Sequence, residues 1–188
     1  MIELTRDQET SLEGADGQPL VRLQMALGWD KEPGAGFIGN GTRDVDLDAS
    51  AVQFADGQLF DLAFYNNLQT RDGSVVHQGD NITGRGDGDD ERLTVDLSRV
   101  YAKVDTIVFL VSSYQGHTLE WIDNAYCRLL DDHDTELARF TLTAGVPRTG
   151  LVMATLRRTD DGWLLKAIGQ GVAVTVPSQS VDALTRFL

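Results

Sequence analysis

Apolar and polar residues alternate with a period of two along most of this chain. Val21, Leu23, Met25 and Leu27 alternate with Arg22, Gln24 and Ala26, and Val45, Leu47, Ala49 and Ala51 with Asp44, Asp46, Asp48 and Ser50. Phe60, Leu62 and Phe64 alternate with Asp61, Ala63 and Tyr65, and Leu93, Val95 and Leu97 continue the pattern. Successive side chains on a strand point to opposite faces, so these segments predict strands with one apolar face. The run 106–111 is nearly all apolar and predicts a strand covered on both faces. Further strands are expected at 125–130, 137–142, 151–157 and 163–168. Asp56-Gly57 and Asp161-Gly162 fall between strand pairs and suit tight hairpin turns. Val181, Leu184 and Leu188 share a helical face and predict a terminal helix from about Ser180. The fold class that follows is all-β: a β-sandwich of two mainly antiparallel sheets with a short C-terminal helix. With no internal repeat and no linker rich in proline or serine, residues 1–188 read as a single domain, long enough for a real hydrophobic core.

Charge narrows the choice of partners. The formal charge is −13, and residues 44–134 carry eighteen Asp/Glu against six Lys/Arg, so nearly all of the excess lies there. Nucleic acid is disfavoured, because phosphate binding needs a basic face. Anionic membranes are disfavoured too, unless bound metal reverses the local field. The amino terminus lacks the charged-then-apolar layout of a signal peptide, and no apolar run is long enough to span a bilayer. Cys127 is the one cysteine, which excludes an internal disulfide and fits a reducing compartment. The expected location is cytoplasmic.

The segment 80–91 reads Asp-Asn-Ile-Thr-Gly-Arg-Gly-Asp-Gly-Asp-Asp-Glu. Five carboxylates (Asp80, Asp87, Asp89, Asp90, Glu91) share it with three glycines and one arginine. Two unit charges ~4 Å apart repel by about 4 kcal/mol at an effective dielectric near 20. A folded loop must splay such groups into water or bind a cation. Hard oxygen donors on a loop made supple by glycine suit calcium better than zinc. The twelve-residue span is not an EF-hand: Ile82 and Gly84 stand where Asp or Asn is needed, and Arg85 takes the glycine position. Nor is Gly84-x-Gly86-x-Gly88 a phosphate cradle, since Asp87, Asp89 and Asp90 would repel the phosphate.

The strand pattern adds donors from afar. If the strand from Asp44 runs down, the Asp56-Gly57 hairpin returns the chain to the top at Asn66 and Asn67. The long segment 66–90 then lies at the top, and the next strand descends from Glu91. Asp46 and Asp48 share one strand face at that end, roughly 7 Å apart. A simple meander thus gathers Asp46, Asp48, Asn66, Asn67, Asp80, Asp87, Asp89, Asp90 and Glu91 at one pole, enough oxygen for two calcium ions.

These residues also carry a resemblance. Gly28-Trp29-Asp30, Asp46-Leu47-Asp48-Ala49-Ser50-Ala51, Phe64-Tyr65-Asn66-Asn67-Leu68 and the run from Asp72-Gly73-Ser74-Val75-Val76-His77 through Gly79-Asp80-Asn81 to Gly86-Asp87-Gly88-Asp89-Asp90-Glu91 resemble the TerD-domain family of tellurium-resistance and stress proteins. Asn124-Ala125-Tyr126-Cys127-Arg128-Leu129 and Ala167-Ile168-Gly169-Gln170-Gly171 are similar to its TerZ-type branch. The resemblance implies a calcium-binding β-sandwich holding one or two Ca2+ ions, with the acidic-loop residues, Gly88 included, as ligands. It places Asp46, Asp48, Asn66 and Asn67 at matching family positions. Asp123 and Asn124 are outside candidates.

Other chemistry is thinly represented. His77, His117 and His133 are scattered through expected loops without zinc spacing, so they are expected to face solvent. No Gly-x-Ser-x-Gly elbow is present, and the crowded carboxylates suit a metal better than a glycosidase cleft. Trp121, in an expected top loop, is the tryptophan nearest the proposed metal end. The expectation is a non-catalytic calcium-ordered interaction module whose partners are other stress-response proteins. The alternatives are a calcium-dependent membrane-docking module and a metal-dependent phosphoester hydrolase.

Overall fold

The computed structural model describes residues 1–14, 16–31, 47–79, 89–120, 122–142 and 145–188, with the backbone alone for 30, 31 and 122–124. Among them the chain forms twelve strands: β1 Ile2–Leu4, β2 Glu9–Ser11, β3 Arg22–Lys31, β4 Asp48–Ala55, β5 Gln58–Ala63, β6 Val75–His77, β7 Glu91–Asp96, β8 Val104–Ser112, β9 Ile122–Leu130, β10 Glu136–Leu142, β11 Gly150–Thr159 and β12 Gly162–Val172. One sheet has the order β1-β10-β9-β3-β7-β6 and the other β2-β12-β11-β8-β4-β5. Pairing is antiparallel throughout except between β1 and β10. The expected β-sandwich is the observed one. No helix among the described residues is long and apolar enough to cross a membrane.

The alternating pattern explains the main core. Leu23, Met25 and Leu27 of β3 and Leu93 and Val95 of β7 point inward, against Ile107, Phe109, Leu151 and Leu165 of the facing sheet. β8 is covered on both faces, as its apolar run predicts. Its Val108 and Leu110 face outward, into a second cluster with Phe54, Val152, Ile168 and Leu184. Leu184 belongs to the short helix α1, Val181–Leu184, which lies over that outer face. Val181 and Leu184 pack there as expected, but Leu188 is exposed and Phe187 packs instead. The reason is local: the chain tightens into a 3-10 turn over Thr185–Phe187, which shifts the apolar face by one residue.

The turns follow their residues. Asp56 and Gly57 have φ of 51° and 73°, the pair of left-handed residues that a type I′ hairpin turn requires, and they join Ala55 to Gln58. In the later hairpin Thr159 pairs with Gly162, so Asp160 and Asp161 make the turn, one residue earlier than expected.

Strand directions define two poles. β4 starts, and β8 ends, at the upper one, where Asp48 pairs with Ser112 and Ser112 with Gly150. The expected placement of 66–90 at this pole is corrected in part. After Asn67 the chain turns back: the Leu68 carbonyl accepts from the His77 amide and the Thr70 amide donates to the Val75 carbonyl. This hairpin descends until the Asp72 carboxylate meets the Tyr101 amide at 3.0 Å and the Ser74 carbonyl meets the Asp96 amide at 2.7 Å, toward the lower pole. Asp72 directs the turn by accepting from the Thr70 and Ser74 hydroxyls and the Ser74 amide.

Candidate metal centre

Glu91 opens β7 on its inward face, the face that carries Leu93 and Val95 lower down. One carboxylate oxygen, Oε2, accepts from the Ala49 amide across the sandwich and lies 3.3 Å from His77 Nε2. His77 closes β6 on the inward side and is itself buried. The other oxygen, Oε1, is buried with no hydrogen-bond partner among the described residues. Glu91 is 2 % exposed. Burial pushes its carboxyl up to about 7, with the nearby Asp48 charge adding to the rise and His77 and the Ala49 amide opposing it. A buried carboxylate oxygen without a donor is costly, and a cation is one way to satisfy it.

Two more buried polar atoms without partners among the described residues belong to this end of the sandwich. They are Ser112 Oγ, on the residue paired with Asp48, and Trp29 Nε1, on the strand paired with Glu91. Asp48 is 3 % exposed and opens β4 beside Ala49. Asp90 is fixed as an extension of the β3 ladder: its amide donates to the Leu27 carbonyl and its Oδ2 accepts from the Trp29 amide at 2.9 Å.

Asp89 has a different environment. Its oxygens accept from Arg128 Nε and Nη2, both at 2.7 Å, from Arg92 at 3.0 Å, and from the Tyr126 hydroxyl at 3.3 Å. Burial alone would raise its carboxyl, but the Arg128 and Arg92 guanidiniums outweigh that and hold it below the usual range. Burial and the Asp89 charge in turn push the Tyr126 hydroxyl up to about 12. The arginines come from the outward faces of β9 and β7, and Arg128 also binds Glu136 of β10 at 3.1 Å. Asp89 thus ties the end of the acidic loop to a charged lattice on the sheet exterior.

Asn66 is exposed at the crest of the turn between Phe64 and Asn67, whose backbones exchange two hydrogen bonds. Asn67 Nδ2 donates to the Leu62 carbonyl at 2.6 Å, so this side chain braces the turn. Asp46, Asp80, Asp87, Gly88 and Trp121 lie outside the described residues, as do the side chains of Asp123 and Asn124. Among the described residues no group of three or more His, Cys, Asp or Glu is placed to hold a metal ion.

His77 is the residue that sequence reasoning misplaced. It is not in a solvent-facing loop; it is buried at 2 % exposure against Glu91. The signal was Val75-Val76-His77, which puts His77 on the same strand face as the buried Val75. His133, by contrast, is exposed.

A family model described as the TerD domain matches residues 1–178. The chain belongs to the TerD family. Tellurium resistance protein TerZ of Serratia marcescens is 39% identical over 90% of this chain and 89% of its own length. Tellurium resistance protein TerD of the same organism is 37% identical, over 92% and 91%. Stress response protein SCP2 of Bacillus subtilis (strain 168) is 33% identical over 100% of this chain and 99% of its own length. The crystal structure of a homologue of telluride resistance protein (TerD) from Streptomyces coelicolor A3(2) superposes with a TM-score of 0.66 at 21% identity, covering 86% of this chain and 95% of that one. That likeness concerns the fold.

Proposed function

We propose that this TerD domain is a non-catalytic calcium-binding module of a cytoplasmic tellurium-resistance and stress-response system. The observation that carries the reading is the buried Glu91 Oε1, without a hydrogen-bond partner among the described residues, where the acidic loop enters the sandwich. Asp48 and Glu91 would supply the innermost oxygens. Asp46, Asp80, Asp87, Gly88, Asp90, Asn66 and Asn67 are the further donors that the sequence offers, for one or two ions. Asp89 serves as the anchor that holds the loop against Arg128 and Arg92, not as a free ligand. Bound calcium supplies positive charge to a segment that otherwise repels itself. Its partners would be other stress-response proteins, docking on the ordered pole.

The test is isothermal titration of chelator-stripped protein with calcium and with magnesium. Calcium should bind with saturable heat, and Glu91→Gln and Asp48→Asn should each remove a binding step. Absence of calcium binding in the wild-type chain defeats the proposal.

One observation favours a second reading, calcium-dependent docking on anionic lipid. Tyr114 is 59% exposed, packs edge-on against Tyr65 at 5.8 Å, and with the exposed Leu68 presents apolar tips beside the pole. Calcium-dependent sedimentation with phosphatidylserine vesicles, lost in Tyr114→Ser, would favour it.

A further inference from the structure

The outer face of the second sheet carries a cavity whose charge runs against that of the chain. Its volume is about 280 Å³, near the lower end of the range for small-molecule sites. Arg6, Arg157, Lys166 and Arg186 all line it. A protein of net charge −13 with sixteen Lys and Arg places four of them here, against the two acids Asp7 and Glu9. Leu164 and Ile168 form an apolar floor, and Phe187 stands at one side.

The strand edge explains why these cations converge. β2 pairs with β12 only over Leu164–Lys166, which leaves the edge of β12 beyond Lys166 uncovered by a strand. The turn after β1 covers the first part: the Asp7 amide donates to the Ala167 carbonyl and the Ala167 amide to the Gln8 carbonyl. A register shift then interrupts the β11–β12 ladder, and Gly169 takes a left-handed φ of 60°. Arg6 Nη2 caps the Gly169 carbonyl at 2.6 Å and Arg186 Nη2 caps the Gly171 carbonyl at 3.2 Å. Those bonds use one of the five N–H donors on each guanidinium, and neither arginine has a carboxylate partner among the described residues. The other two cations face acids loosely: Lys166 Nζ is 3.4 Å from Asp7 and Arg157 Nη2 is 3.5 Å from Glu9. All four of these side chains are at least 36% exposed, where such pairs are weak and easily exchanged.

We propose that this cavity binds a small organic phosphate, its phosphate group among Arg6, Arg157, Lys166 and Arg186 and its body on Leu164, Ile168 and Phe187. A carboxylate is satisfied by one bidentate guanidinium, whereas a phosphate monoester carries about −1.5 to −2 charges and three acceptor oxygens and calls for several cations. The apolar floor favours a ligand with a body over a bare ion. The site shares no residue with the proposed calcium centre. Along β11, Thr155 of its floor lies five residues from Gly150 at the upper pole, roughly 17 Å.

Isothermal titration of calcium-loaded and of chelator-treated full-length protein with AMP, inorganic phosphate and adenosine tests this. AMP should bind in both forms, adenosine should not, and affinity should fall as salt rises. Arg157→Gln/Lys166→Gln, which disturbs neither capped carbonyl, should weaken AMP at least tenfold, while Arg22→Gln on the other sheet should leave it unchanged. Tighter binding of AMP than of phosphate assigns the site to an organic phosphate; equal affinity assigns it to a free oxyanion and overturns the role given to the apolar floor. No binding of either anion, adenosine binding as well as AMP, or AMP binding unchanged in the double variant overturns the proposal.

Discussion

Replacing Asp89 by Asn separates an anchor from a ligand. The Asp89 side chain is 3% exposed and its two oxygens take the hydrogen bonds of two guanidiniums. Removing one partner of a fully buried ion pair costs about 3–5 kcal/mol. Here Arg128 and Arg92 are 23% and 37% exposed, so each can recover some hydration once the carboxylate is gone. A loss of about 2–3 kcal/mol follows after that discount. For a chain of this length it amounts to a melting shift of about 4–12 °C. The assay is thermal unfolding in chelator, followed by calcium titration of the same variant. The pH dependence has a fixed sign. The folded-state value of Asp89 is depressed, so its contribution is complete above the ordinary aspartate range and is lost as pH falls through the folded value. An Asp89→Asn variant that melts within about 1 °C of wild type in chelator, yet no longer binds calcium, would refute the anchor role.

Three further perturbations read other parts of the structure. Glu91 has a folded-state value raised to about 7, so the folded protein holds a proton that the unfolded chain releases. Without metal, stability should therefore fall as pH rises from about 5 to 8. Glu91→Gln should flatten that slope, and a slope unchanged by the substitution would contradict the assignment. Gly28→Ala would drive a methyl to 2.4 Å from the Tyr126 ring, which faces it across the β3–β9 ladder. Equilibrium denaturation should show a loss of about 1–3 kcal/mol. Leu184→Ala uncovers the outer face of β8 and should cost about 2–4 kcal/mol, read by the same method.

Most of the architecture was legible because a two-residue period and turn chemistry act locally. The inward stripes of β3 and β7, the double burial of β8 and the Asp56-Gly57 hairpin all follow from neighbouring residues. β1, β2 and β6 are three residues each and carry too little pattern to stand out; tertiary pairing makes them strands. The descent of the Asp72 hairpin depends on the Tyr101 amide, 29 residues away, which no local rule anticipates. At the candidate site the carboxylates were legible as charge, and the convergence of Asp48 and Glu91 at one pole as topology. Their individual roles were not. Whether an aspartate is bare or clamped depends on which arginines face it. Arg128 comes from a strand 39 residues from Asp89. The basic cavity has no local signature, because its cations are spread along the chain from Arg6 to Arg186.

The most direct test of the account is a crystal structure of this chain grown in excess calcium. It should show an ion about 2.3–2.6 Å from Glu91 Oε1, with Asp48 and acidic-loop oxygens completing its shell and Asp89 still held by Arg128 and Arg92. Glu91 bonded only to His77 and the Ala49 amide, with no ion beside it at saturating calcium, would contradict it.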